Sequence, residues 1–355
     1  MRFALIGPPQ SGKSTLFSAI TGQPPDPGHG ATEHLAAVDV PDERLDHLFE
    51  VYKPKKKTPV RLEFLDVPGV SLADAHGQTE FRKTMQAVRL CTGIVMVVRA
   101  FESEAVAKYR GRIDPKADLE ELHTELIFAD LEQVLNRIER LEKSTQKPTK
   151  TRDREIRELA MMRRVQASLE SEAPVSNAIQ NEEEWAIAAG LGFLTLKPVL
   201  VVINTGEADA AKPPPFEHEH AAATIALAAE LEEEIAELSE TDRAAFLADY
   251  GLTESARTRL IHTCYDALGL ISFLTAGGKN ETRAWTVKRG TTAWEAAGNI
   301  HSDIQRGFIR AETVAFEDLK ANTDLKGAKN AGKMRLEPKG YVVQDGDVIT
   351  FRFNV

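Results

Sequence analysis

Two cysteines in 355 residues, Cys91 and Cys264, exclude a disulfide framework and a cysteine-rich metal cluster. A reducing, cytoplasmic setting is the simplest expectation. Long apolar runs are missing as well. The longest, 93–98 and 198–203, have the length of buried strands and fall far short of the ~20 residues that cross a bilayer. No membrane role is expected. The opening MRFALIGPPQ holds one basic residue and an apolar stretch too short for a signal-peptide core. An excess of positive charge is also absent: a formal net charge of −10 argues against a general nucleic-acid coat protein.

What is present fits a globular chain. Apolar residues make up 42% and charged residues 28%, and the length leaves room for two or three domains. Charge is unevenly spread. From 281 to 355, 12 Lys and Arg stand against 10 Asp and Glu, so this stretch carries +2 and the remainder −12. Lys326, Lys329, Lys333, Arg335 and Lys339 cluster within it. They form either a solvated positive face or a patch turned toward RNA.

Over the first 100 residues, short apolar runs alternate with helical stretches, the mark of parallel α/β structure. The pattern predicts strands over 3–6, 60–66, 93–98 and 199–203, with a helix over 13–19. From 118 to about 191 the texture turns helical and charged. Ile127, Leu131, Val134, Ile138 and Leu141 step by heptad spacing, and Ile156, Leu159, Met162, Val165 and Leu169 follow a break containing Pro148. Two helices folding back as an antiparallel hairpin, or a plain helical excursion without a partner, fit this pattern. Another acidic helical stretch covers 230–249. AGGKN, 276–280, reads as a linker. Beyond it the sequence predicts a strand over 284–288, a helix over 292–300 and a hairpin over 340–355 turning at Asp345-Gly346.

GPPQSGKS, 7–14, fits Gly-x4-Gly-Lys-Ser/Thr after a strand and ahead of a helix. Glycines let the backbone wrap a phosphate with its N–H groups inward, and the helix adds its positive N-terminus. Gln10, Ser11, Gly12, Lys13, Ser14 and Thr15 are the candidate phosphate binders. Lys13 would bridge β- and γ-phosphate oxygens, and the Ser14 hydroxyl would ligate Mg²⁺. DVPG, 66–69, ends the second strand, where Asp66 can hold a metal-bound water and the Gly69 N–H can reach the γ-phosphate. The strand PVLVVI runs into Asn204-Thr205-Gly206-Glu207. Guanine-specific relatives of such loops use Asn-Lys-x-Asp there. Without the stacking Lys, and with Glu one methylene longer than Asp, guanine discrimination is weakened. Adenine needs an acceptor for its amino group, which a carbonyl near Thr205 could supply, so ATP is expected over GTP. Glu207 as a simple cap on the strand exit is the alternative.

These motifs, in this order around a helical insert, resemble the YchF/Obg-like ATPase family over essentially the whole chain. DERLDHLFEVYKP (42–54), GRIDPKADLEELHTELIFADLEQVLNRIERL (111–141), RAWTVKRGTTAWEAAGNIHSDIQRGFIRAE (283–312) and GYVVQDGDVITFRFNV (340–355) carry the likeness. The resemblance implies an α/β P-loop NTPase G domain over 1–116 and 192–278. It further implies an antiparallel coiled-coil insert over 117–191 and a ubiquitin-like β-grasp TGS domain over 279–355. Thr32 is the expected first-switch Mg²⁺ ligand. Val70 stands where related GTPases have a water-orienting Gln, Lys108 where the family has its candidate catalytic His, and Gln10 where a P-loop Asn can coordinate a monovalent cation. Hydrolysis is therefore expected to be slow.

The leading expectation is a Mg²⁺-dependent regulatory ATPase, with Lys13 and Gly69 as its catalytic groups. Its insert and TGS module would meet the ribosome or RNA, and a monomer is the expected state. A nucleotide-gated binding module with little hydrolysis is the alternative. A metabolic P-loop kinase is a third reading, and no acceptor-site signature supports it.

Overall fold

The computed structural model describes residues 1–23, 33–69, 71–72 and 75–354. The chain divides into two compact units, 1–36 with 63–257 and 37–62 with 258–355. Among the described residues no helix is long and apolar enough to cross a membrane.

The first unit is built on a sheet in the order β2-β4-β1-β5-β6-β7. Its strands are β1 (Arg2–Ile6), β2 (His34–Asp39), β4 (Arg61–Asp66), β5 (Gly93–Arg99), β6 (Val199–Asn204) and β7 (Ala223–Leu227). Strand β1 pairs in parallel with β4 and β5, β5 with β6, and β6 with β7. The four strands expected over 3–6, 60–66, 93–98 and 199–203 are present as β1, β4, β5 and β6, each within a residue of its expected bounds. Strand β5 is buried along its whole length, as a central strand covered on both faces must be. The register sets Leu5 beside Asp66, Ile6 beside Met96 and Arg99 beside Asn204. The C-terminal ends of β1, β4, β5 and β6 therefore line one edge of the sheet. Ligands of open α/β sheets bind beyond such an edge.

Helix Pro115–Ser144 starts on an Asp114 cap, whose carboxylate accepts from the Ala117 N–H, with Pro115 in the first turn, where its missing N–H costs nothing. It ends before Pro148, and helix Arg152–Glu170 returns beside it. Val134, Ile138 and Leu141 bury against Met161, Met162, Val165 and Leu169, with Leu131 and Leu159 partly buried at the margin. Arg137 meets Glu158 and Arg163 meets Glu142 across the pair, and the short turn 145–151, where Arg152 donates to the Thr145 carbonyl at 2.9 Å, reverses the chain into an antiparallel hairpin. Ile156 departs from the expected stripe: it is exposed, while Met161 joins Met162 in the buried seam.

The second unit holds a mixed sheet in the order β11-β10-β12-β8-β9-β3. The strands are β3 (Lys56–Thr58), β8 (Leu270–Thr275), β9 (Glu281–Lys288), β10 (Phe308–Ala315), β11 (Arg335–Glu337) and β12 (Asp347–Phe353). Two expectations are corrected here. Residues 276–280 are not a linker but the loop of the antiparallel hairpin β8–β9. Asp345-Gly346 does turn the chain, with Gly346 at φ +82°, but the segment before it is not the hairpin partner. Strand β12 pairs antiparallel with β10 and in parallel with β8, whereas Val342 makes only an isolated bridge to Thr292. Val348 and Ile349 are buried against β10, where Val314 lies beside Val348, and Val343 reaches the same core from outside the sheet. Thr292 and Glu295 cap helix Ala293–Ile300 reciprocally, as its Thr-x-x-Glu spacing requires.

His123, on the first insert helix, stacks with His220 at 4.7 Å and lies 5.2 Å from His218. Burial, then the neighbouring His218 and His220, holds its pKa down at about 4 from an ordinary 6.5. Between these values the unfolded chain takes up a proton that the folded chain refuses, so stability is present above about 6.5 and is lost as pH falls toward 4. Denaturant midpoints measured from pH 7 to pH 4.5 are expected to fall, and His123→Phe is expected to flatten that slope. An equal slope in the variant would assign the acid sensitivity elsewhere.

Candidate nucleotide-binding site

Strand β1 delivers the chain into the loop 7–14 and then helix Lys13–Thr21. Gln10 at φ +61° and Gly12 at φ +88° both lie in the left-handed region, on either side of Ser11. Such alternation turns successive N–H groups to one side and makes an anion-binding nest. Gly12 is the helix N-cap and carries no side-chain cap, so the amides of the first turn stay open to an incoming acceptor. A Cβ at Gly12 would collide with the Asn204 amide, beyond the strain of its positive φ. Gln10, Gly12, Lys13, Ser14 and Thr15 line one cleft of about 240 Å³.

Lys13 is buried at 6% exposure although it is a lysine. Burial pushes its pKa down, and the Asp66 carboxylate offsets part of that loss. Asp66 closes strand β4 beside β1. Burial pushes its pKa up, against the pull of Lys13 and the hydrogen bond from Ser14. The Ser14 hydroxyl donates to Asp66 Oδ2 at 2.9 Å, while Oδ1 is buried with no hydrogen-bond partner among the described residues. A hydroxyl and a carboxylate with an orphaned oxygen, side by side at a phosphate loop, are the oxygen donors that Mg²⁺ takes. Gly69 approaches the same point: a Cβ there would stand 2.7 Å from Lys13 Nζ and 3.1 Å from the Pro9 Cα. Any side chain there would displace the Lys13 ammonium and press on the Pro9 backbone.

Asn204 ends β6 and is buried. Its Nδ2 donates to the Ser11 carbonyl at 3.1 Å, and its Oδ1 accepts from the Ala229 N–H at 2.9 Å. It thus stitches the phosphate loop to the start of helix Ala229–Glu237, which has no side-chain cap of its own. Thr205 donates its N–H to Leu227, and its buried Oγ1 has no partner among the described residues. Glu207 stands exposed on the short turn Glu207–Asp209 and is not among the walls of the cleft. Thr32 and Val70 lie outside the described residues.

Three features were not visible in the motifs. Phe101 and Val106, in the loop after β5, form the far wall of the cleft. Arg99 ends β5 and is buried at 4% exposure. The Tyr109 hydroxyl accepts from the Leu72 N–H, Arg110 donates to the Leu72 carbonyl, and both residues bind Glu121. That bracket fixes the backbone at Leu72. One sign was available beforehand: a charged residue closing an otherwise apolar strand at the binding edge of an α/β sheet.

The comparisons with known proteins agree with this geometry. A family model described as "50S ribosome-binding GTPase" matches residues 2–137, and the YchF GTPase C-terminal model, described as "Protein of unknown function", matches 270–354. The chain is 42% identical to the ribosome-binding ATPase YchF of Bacillus subtilis, over 99% of this chain and 98% of that protein. The chain belongs to the YchF/Obg-like ATPase family. Obg-like ATPase 1 of Oryza sativa is 35% identical over 100% of this chain and 92% of its own. The solved Schizosaccharomyces pombe YchF GTPase superposes with a TM-score of 0.81 at 29% identity, covering 99% of this chain and 97% of that one. Lys108 is not among the walls of the cleft, and its ammonium pairs with Glu102 at 2.9 Å.

The Asn204 clip gives a direct test. Asn204→Ala leaves the Ala229 N–H and the Ser11 carbonyl unpaired and is expected to cost about 3 kcal/mol of stability by denaturant unfolding. Nucleotide affinity should fall as well, because the loop loses its brace. Wild-type affinity in a folded variant would separate the clip from the site.

Proposed function

We propose that this chain is a slow, Mg²⁺-dependent nucleoside triphosphatase that prefers ATP to GTP and works at the ribosome. The observation that carries the reading is the meeting of Asp66 with Ser14 and of Gly69 with Lys13, where Lys13 and Ser14 are walls of a cleft lined by the phosphate loop. The loop amides and the Lys13 ammonium would hold the β- and γ-phosphates, with Gly69 closing on the γ-phosphate. Ser14 and Asp66 would hold Mg²⁺, which when bound neutralises charge on the phosphates. The bracket of Tyr109, Arg110 and Glu121 holds Leu72, three residues beyond Gly69, and loss of the γ-phosphate contact at Gly69 would be felt there. The ribosome as partner follows from the names of the relatives, and the basic cluster from Lys326 to Lys339 offers a matching charge. We place ATP above GTP because Glu207 stands exposed at the strand exit without a neighbouring Lys to stack on guanine. The protein is read as a cytoplasmic monomer.

A second reading, a nucleotide-gated binding module with little turnover, is favoured by one feature. An ammonium already paired with Glu102 has no lone pair with which to take a proton from an attacking water.

Calorimetric titration with Mg²⁺-ATP and Mg²⁺-GTP, followed by phosphate release with and without ribosomes, separates these readings. The expected outcome is tighter ATP binding, slow release alone and faster release with ribosomes. Binding without release under either condition would favour the second reading, and equal affinities would remove the ATP preference. Lys13→Ala is expected to abolish binding of both nucleotides. Unchanged affinity in that variant would refute the site.

A further inference from the structure

We infer that Arg99 is a positioning residue of the nucleotide site, holding the loop 101–107 as the far wall of the cleft and acting through Phe101. The inference rests on the nucleotide reading of that cleft and names a group outside its motifs.

Arg99 closes β5, the most thoroughly buried strand of the first sheet. A guanidinium removed from water needs partners for its donors, and its partners here are all carbonyl oxygens of one loop. Nε donates to Phe101 at 3.0 Å, Nη1 to Ala107 at 2.9 Å and Val106 at 3.3 Å, and Nη2 to Val106 at 3.3 Å. The guanidinium also lies 4.4 Å from the centre of the Phe101 ring, on its face. That loop has no helix or strand of its own, and most of its residues are exposed. Apart from the bond from the Ala100 N–H to the Asn204 carbonyl at its root and the exposed ion pair of Glu102 with Lys108, the arginine's fork is what organises it among the described residues.

The consequence falls on the site. Phe101 and Val106 are the two residues of this loop that reach the cleft, and both are bound by Arg99 through their own carbonyls. The Phe101 ring edge would lie 3.8 Å from a Cβ at Gly12, so the held ring sits directly against the phosphate loop. Lysine cannot replace this fork, since one ammonium cannot span three carbonyls in a plane while stacking on a ring.

The test uses the full chain and compares Arg99→Met, Arg99→Lys, Phe101→Ala, the double variant Arg99→Met/Phe101→Ala, and Arg89→Met. Arg89 is the control: it stitches Asp130 and the carbonyls of Ala129 and Gly192 elsewhere in the same unit, so its loss should lower Tm without touching the cleft. For Arg99→Met we expect the Kd and KM for Mg²⁺-ATP to rise about tenfold with kcat within about twofold. Arg99→Lys should fall between it and wild type. The double variant should bind no more weakly than Phe101→Ala alone, because Arg99 acts through that ring. Wild-type affinity in folded Arg99→Met or Arg99→Lys, fully additive losses in the double variant, or an equal loss in Arg89→Met would overturn the inference while leaving the nucleotide site standing. Failure of the wild-type chain to bind Mg²⁺-ATP would remove both together.

Discussion

Lys13 and Asp66 are held out of water at adjoining strand ends, and burial penalises both charges more than their mutual attraction offsets. The lysine's pKa is pushed down and the aspartate's up, each with its partner as the opposing influence. Each charge is therefore left short of compensation by the protein itself. A triphosphate carrying Mg²⁺ answers both at once, with anionic oxygens for the ammonium and a divalent cation for the carboxylate. The loop's open amides, the glycine at 69 and the orphaned Asp66 oxygen are consistent with the same guest.

That pair can exist only because a parallel sheet brings distant segments to one edge. Register sets Asp66 beside Leu5, and Arg99 beside Asn204, so four strands end within reach of one loop. Asn204 braces the loop from one side and Arg99 braces the opposite wall. Both spend their hydrogen bonds on backbone rather than on one another. The nucleotide chemistry thus sits on side chains whose own orientation is fixed by main-chain partners, which is how a shallow cleft can be kept in shape.

How much of this was legible beforehand depends on how local each signal is. The phosphate loop was readable because its chemistry is fixed by spacing within eight residues, and the insert because heptad steps survive into Val134, Ile138 and Leu141 packing on the second helix. Pairings between distant strands left no comparable trace. Lys56–Thr58 is polar and only a strand because Glu281–Arg283 lies beside it, in parallel, with Lys56 and Thr58 meeting Glu281. The Asp345-Gly346 turn was correctly read as a turn, yet the strand that follows it pairs with β10 and β8, which no local pattern encodes. Ile156 fits the stripe by spacing and still faces outward, while Met161, outside the expected stripe, is buried in the seam. Arg99 escaped notice for a related reason: a lone charge at a strand end becomes informative only when its donors can be followed to a loop.

The central claim, that the turn of chain from Gly7 to Ser14 encloses a phosphate closed by Lys13, is tested most directly by diffraction from crystals grown with magnesium and adenylyl imidodiphosphate. The account requires the β-phosphate within about 3 Å of Lys13 Nζ and of the amides at the start of the helix, with the metal on the Ser14 hydroxyl. A nucleotide bound elsewhere on the chain, with Lys13 still turned to Asp66 and the loop amides facing solvent, would contradict it.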